Sequence, residues 1–194
     1  MSLYVQALQR FYTLMQQAKQ LPLTYPNAMT VATADANGKP SARVILLKDA
    51  DEQGFVFYTN FQSRKGDDLT ANPQAALLFY WETLKTQVRV EGTVEIVSDA
   101  EADAYWRTRP LESRIGAWAS QQSQPIENRK VLEDRYEHFA HQFADSNIPR
   151  PPHWSGYRLM PQLIEFWEER PFRLHERVCY VKKDGQWTVS LLNP

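Results

Sequence analysis

The segment Gln87 to Val97, QVRVEGTVEIV, alternates apolar and polar residues with a period of two. Val88, Val90, Val94 and Ile96 fall on one side, and Gln87, Arg89, Glu91 and Glu95 on the other. A helix would scatter those sets around its axis, so the pattern predicts a half-buried antiparallel strand. Gly92 in its middle predicts a bulge or a close approach of backbone.

Further strand signals recur at short spacing. Ala28–Ala34 and Ser41–Lys48 read as strands joined through Asn37-Gly38, a hairpin signal because both residues accept positive φ. The apolar runs Val44–Leu47 and Phe55–Tyr58 flank a polar connector, Asp49–Gly54, and Gln74–Trp81 is another strand. Tyr157–Met160, Leu163–Trp167, Arg177–Val181 and Trp187–Leu192 predict four closing strands, the last pair turned by Asp184-Gly185. Helical periodicity marks residues 2–20, with Leu3, Val5, Leu8, Phe11, Tyr12 and Met15 on one face. A capping box at Ser98–Glu101 opens a helix running to Thr108. Ile126–Phe143 reads as a charge-rich surface helix, and Ile115–Ser123 as a loop of small and amide residues. Many short strands with grouped helices define an α+β chain, an antiparallel barrel with peripheral helices. At 194 residues it is read as one domain, 1–194, in which Pro149, Pro151 and Pro152 mark an extended connector rather than a linker.

The formal net charge of −1 supplies no basic excess for a nucleic acid or membrane surface, and small anions suit its local basic clusters better. Cys179 is the only cysteine, in the apolar run Val178–Val181, and reads as a buried small hydrophobe. Four histidines at unrelated spacings predict no metal site. No Walker loop, G-x-G-x-x-G or G-x-S-x-G is present. The N-terminus lacks a signal peptide's apolar centre, so the expected location is the cytoplasm.

Four polar groups carry the candidate chemistry. Ser63-Arg64-Lys65 opens a short helix before Asn72-Pro73, where a hydroxyl, two cations and free backbone N–H groups suit a phosphate. The competing reading is a solvated helix start. Arg43 and Lys48 sit near the ends of one apolar strand but on opposite faces of it, so one site would need a bulge or strong twist to use both. Tyr105 and Arg109 share a helix face with Ser113 just beyond, although spacing alone favours Tyr105 packing inward and Arg109 in solvent. In an extended segment Arg173, His175 and Arg177 would point the same way.

The motifs R-V-I-L-L-K, F-Y-T-N-x-x-S-R-K, Q-V-R-V-E-G, I-G-A-W-A-S-x-Q-S, and E-F-W followed by R-L-H-E-R occur in one order. Together, from about Leu8 to Pro194, they resemble the pyridoxamine (pyridoxine) 5′-phosphate oxidase family, flavoproteins of the split-barrel fold. The resemblance implies an FMN-dependent homodimer with active sites at the subunit interface and a C-terminal dimerisation and substrate segment from about residue 150. It implies oxidation of pyridoxamine or pyridoxine 5′-phosphate to pyridoxal 5′-phosphate, with O₂ reduced to hydrogen peroxide. It assigns FMN binding to Arg43, Lys48, Tyr58, Thr59, Arg64, Lys65, Gln87, Gln122, Ser123, Trp167 and Arg177, and the helix-entry argument adds Ser63. Lys48, Tyr105, Arg109 and Ser113 would hold the substrate phosphate, with Arg173 and His175 over its ring. Two departures stand out. The family's N-terminal substrate-covering segment is expected to be absent or replaced, and Glu168–Phe172 stands where glycine is common. A related flavoenzyme for another small molecule and a non-catalytic FMN or pyridoxal phosphate binder are the competing readings.

Overall fold

The computed structural model describes residues 1–144 and 147–194. Its strands are β1 (Ala28–Ala34), β2 (Pro40–Leu46), β3 (Asp49–Asp51), β4 (Gly54–Asn60), β5 (Gln74–Trp81), β6 (Thr86–Ile96), β7 (Trp154–Glu168), β8 (Glu176–Lys183) and β9 (Gln186–Leu191). The helices are α1 (Leu3–Lys19), α2 (Arg64–Ala71), α3 (Asp99–Thr108), α4 (Leu111–Ala119) and α5 (Arg129–Gln142). All pairings are antiparallel, in the order β2-β1-β5-β6-β7-β4-β3, with β8 and β9 continuing from β7.

The alternation in β6 has its expected effect: Val88, Val90 and Val94 are buried and their neighbours are partly open. Ile96 departs from it, 61% exposed, because β6 ends there and Val97 turns inward instead, its N–H bonded to the Gly156 carbonyl. The Gly92 expectation also holds. The β6–β7 register slips between Glu91 and Gly92, leaving Gln162 unmatched on β7, and a methyl on Gly92 would overlap the Met160 carbonyl oxygen.

This bulge sits where β7 changes partners. Trp154–Leu159 pairs with β4, and Leu163–Glu168 pairs with β8, while β6 pairs with the other edge from Tyr157 to Glu168. The two separate strands expected at 157–160 and 163–167 are therefore one strand of 15 residues, since the bulge bends the ladder without ending it. The expected strand Ser41–Lys48 stops at Leu46, and part of the expected polar connector forms β3. Leu47 donates its N–H to Asn27 O beside β1, whereas Lys48 donates to Val56 O on β4. Leu47-Lys48 thus steps between the two ends of the strand order, which removes the parity conflict between Arg43 and Lys48.

The apolar face of α1 fills the barrel's open end. Phe11, 1% exposed, meets Phe55 and Phe79 edge-on at 5.0 and 5.1 Å. Ser2 caps this helix through Val5 N, and Ser98 caps α3 through Glu101 N as the capping box predicts. Residues 115–119, expected in a loop, complete α4: Ile115 is buried, and Trp118 packs on Phe139 and Phe143. Tertiary packing against α5 outweighs the small-residue composition. Cys179 is buried on β8 opposite Glu165, and burial followed by the Glu165 charge pushes its thiol up. Among the described residues, no helix is long and apolar enough to cross a membrane.

The bulge gives a direct stability test. Gly92→Ala is expected to cost about 2–3 kcal/mol, because the backbone it would strike cannot rotate away. A lower urea midpoint at unchanged slope is the expected readout.

Candidate functional site

A cleft of about 650 Å³ opens between β2, the end of β4, the start of α2, and α4 with the loop that follows it. At the end of β4 the chain folds back tightly. Asn60 Oδ1 accepts from Gln62 N, Ser63 Oγ donates to Asn60 O at 2.7 Å, and Gly66 lies so close to the Phe61 carbonyl that no side chain would fit. This turn directs Lys65 inward. Its Nζ donates to Thr59 Oγ1, Ser63 Oγ and Gln122 Oε1 at 2.8, 2.8 and 2.9 Å. All three acceptors are neutral, so the ammonium is hydrogen-bonded but its charge has no counter-ion among the described residues. Burial, then the Arg43 charge, lowers its pKa to about 8. The backbone N–H groups of Arg64, Lys65 and Gly66 precede the helical ladder and find no backbone acceptor among the described residues. Arg64 lines the cleft and forms no ion pair among those residues.

Arg43 forms the neighbouring wall. It donates to Val31 O, Thr33 Oγ1 and Ser41 Oγ at 3.2, 2.7 and 2.6 Å. The buried Asp68 carboxylate lies 3.8 Å from its Nη2 and accepts from Thr33 Oγ1 at 2.6 Å. Sequence reading missed Thr33 and Asp68, because neither carries a motif and only the fold brings them under Arg43.

A second cation occupies the same cleft. Arg109 is half-buried rather than free in solvent, as spacing alone suggested; burial depresses its pKa, and no carboxylate pairs with it among the described residues. Its Cζ lies 4.6 Å from the Trp154 ring centroid and 5.4 Å from that of Trp106. One Nη2–H donates to Ser113 O at 3.0 Å, and the buried Nε has no partner among the described residues. Tyr58, Tyr105 and Trp154 lie nearly parallel, Tyr58 at 4.0 Å from Tyr105 and 5.3 Å from Trp154, and Lys48 Nζ lies 5.6 Å from the Tyr105 centroid. Burial raises the Tyr58 phenol to about 12, keeping it neutral at physiological pH. Trp154 carries no sequence motif; its place opposite Asn60 on β4 makes it a cleft residue.

Nine expected residues thus line one cleft: Arg43, Tyr58, Thr59, Arg64, Lys65, Arg109, Ser113, Gln122 and Ser123. Ser63 lies beneath it through Lys65, and Tyr105 and Lys48 adjoin it through the aromatic stack. The others lie elsewhere in the chain. Gln87, Trp167 and Arg177 form one row across β6, β7 and β8, with Arg177 Nε donating to the buried Glu165 at 2.7 Å. Trp167 lies eleven residues along β7 from Gly156, the partner of Tyr58, a run of roughly 35 Å at strand rise. His175 packs at 4.7 Å on Trp167 and accepts from Arg170 N. The extended arrangement expected for Arg173, His175 and Arg177 is not found. Pro171 opens a short helical turn, and Phe172 and Arg173 both take left-handed φ near +60°.

An open antiparallel barrel with a cation-lined cleft at one helix start is the α+β split-barrel architecture. Residues 14–143 match the pyridoxamine 5′-phosphate oxidase family, and residues 154–194 match the pyridoxine 5′-phosphate oxidase C-terminal dimerisation region. A pyridoxine/pyridoxamine 5′-phosphate oxidase from Caulobacter vibrioides is 58% identical over 87% of this chain and 76% of its own. One from Cupriavidus metallidurans is 54% identical over 96% and 88%. Among solved structures, Burkholderia lata PhzG in complex with tetrahydrophenazine-1-carboxylic acid superposes with a TM-score of 0.89 at 31% identity, over 98% of this chain and 92% of that one. A Nostoc punctiforme FMN-binding protein related to pyridoxamine 5′-phosphate oxidase shares the fold, with a TM-score of 0.76 at 20% identity over 96% of both chains. The chain belongs to the pyridoxamine 5′-phosphate oxidase family of oxidoreductases.

The buried ammonium should register in stability. Its folded pKa lies below the unfolded value, so the cost of Lys65 is complete below about pH 8 and fades as pH rises toward the unfolded value. Lys65→Met is therefore expected to stabilise the ligand-free protein at neutral pH. By pH 9.5 that advantage should shrink by roughly 2 kcal/mol, read from urea unfolding of both proteins at each pH.

Proposed function

We propose that the protein is an FMN-dependent oxidase that converts pyridoxamine or pyridoxine 5′-phosphate to pyridoxal 5′-phosphate, with O₂ reduced to hydrogen peroxide. The observation that carries this reading is the presence of two cation groups in one cleft, Arg64–Lys65 and Arg109, neither neutralised by a carboxylate among the described residues. Cofactor and substrate each bring one phosphate. The family membership supports the pairing, and the uncompensated Lys65 and orphaned Arg109 Nε fit groups that await an anion.

In this reading Arg64, Lys65 and the first N–H groups of α2 hold the FMN phosphate. Arg43, Tyr58, Thr59, Gln122 and Ser123 line the rest of the cofactor's seat. Bound there, FMN would supply the redox chemistry, a two-electron oxidation at the substrate's C4′ coupled to reduction of O₂. Lys48, Tyr105, Arg109 and Ser113 position the substrate phosphate. Arg173 and His175 orient the ring and adjust its charge; neither is required as an essential base. The run of roughly 35 Å from Tyr58 to Trp167 supports a homodimer in which Gln87, Trp167, Arg177, Arg173 and His175 come from a second copy. Its proposed location is the cytoplasm.

The likeness to PhzG favours a second reading, in which the cleft takes a carboxylic acid lacking phosphate. Arg109 weighs against that, since a desolvated guanidinium with free donors suits a phosphate. The test is FMN-loaded protein mixed with pyridoxine 5′-phosphate in air. Pyridoxal 5′-phosphate and peroxide should appear in equal amounts; cofactor binding without peroxide would sink the oxidase reading. Arg109→Ala is expected to raise KM about tenfold, the loss of one charge-assisted hydrogen bond, and an unchanged KM would remove its phosphate role. Subunit mixing tests the shared site. Equal amounts of an Arg64→Ala/Lys65→Ala chain and a Trp167→Ala/Arg177→Ala chain, each inactive alone, should recover about a quarter of wild-type activity after exchange, from hybrid dimers with one intact site.

A further inference from the structure

We propose that Trp154 is a positioning residue whose indole face holds Arg109 as an uncompensated cation and so leaves the guanidinium edge available to a ligand phosphate. The inference rests on the reading above that Arg109 grips that phosphate, and it assigns to Trp154 a role that no sequence motif suggested.

A desolvated guanidinium needs something to stabilise its charge. A carboxylate would do so but would also take up N–H donors and repel an incoming anion. An aromatic face attracts the cation through its quadrupole from above the guanidinium plane, while every N–H bond lies within that plane. The cleft uses the second solution. Arg109 Cζ lies 4.6 Å from the Trp154 centroid, against 5.4 Å for Trp106, and no carboxylate pairs with Arg109 among the described residues. One donor is used by Ser113 O, and the buried Nε is left without an acceptor.

Trp154 is itself tightly held. It is 4% exposed, paired with Asn60 on β4, stacked on Tyr58 at 7° and met edge-on by Trp106 at 4.9 Å. A ring fixed in this way also fixes the guanidinium laid on it, so less side-chain freedom remains to be lost on binding.

The test replaces Trp154 alone with mono-, di-, tri- and tetrafluorotryptophan in the FMN-loaded protein. Fluorination drains the π face at nearly constant shape, so packing alone predicts no trend. KM for pyridoxine 5′-phosphate should rise stepwise, to roughly tenfold for the tetrafluoro ring, with kcat, FMN retention and melting temperature holding. Trp154→Phe, which keeps an aromatic face, should fall between wild type and Trp154→Leu. A flat fluorination series, in a protein where Arg109→Ala does raise KM, would show that Trp154 merely fills space and would overturn the proposal. If Arg109→Ala leaves KM unchanged, the phosphate role of Arg109 fails first and the proposal goes with it.

Discussion

The structure depends on the β6–β7 ladder and the single unmatched residue within it. Gly92 lets the Met160 carbonyl approach, Gln162 bulges, and β7 bends far enough to give its other edge first to β4 and then to β8. Without that bend β7 could serve one neighbour or the other along its length. With it the sheet forks. The β4 branch carries Tyr58, Thr59 and the turn into α2, and the β8 branch carries Arg177. The same bulge therefore shapes the barrel and sets apart two groups of residues that sequence motifs treat as one constellation.

Electrostatics in the cleft follow one logic in two chemical forms. Lys65 is wrapped by neutral oxygens, and Arg109 is laid against neutral rings. Each arrangement satisfies geometry while leaving charge unbalanced, and burial weakens both cations' hold on their protons. Such a cleft is costly when empty, because the free energy withheld in folding is recovered only when an anion arrives. Where the chain needs permanent charge balance it uses carboxylates instead: buried Arg158 is paired with both Asp51 and Glu101, and Glu165 with both Arg89 and Arg177. The contrast within one molecule is what supports the proposal that the unbalanced pair receives an anion.

Local signals in the sequence carried much of the fold. The Asn37-Gly38 hairpin, the capping box at Ser98 and the alternation before Val94 are each decided within a few residues, and the structure keeps all three. What failed was decided at a distance. The break after Leu46 depends on Lys48 finding Val56, and the helix through residue 119 depends on Trp118 finding α5. Arg109, the extended residue that ends α3, could not be recognised as half-buried from its neighbours in sequence, since Trp154 arrives from 45 residues later to cover it. The left-handed turn at Phe172-Arg173 breaks an apparent period-two row, because neither residue type advertises positive φ. The candidate cations were legible as types; that Lys65 and Arg109 pair with no carboxylate among the described residues was not, being a property of the folded surroundings.

The lone sulfhydryl has a consequence for a catalyst of this proposed kind. Cys179 is covered by its sheet neighbours and biased against ionising by burial and by Glu165. Thiolate is the form that peroxide attacks. A protein turning over in air would thus keep its one oxidisable thiol chemically mute toward the by-product formed in its own cleft, and repeated cycles would leave that strand unscarred.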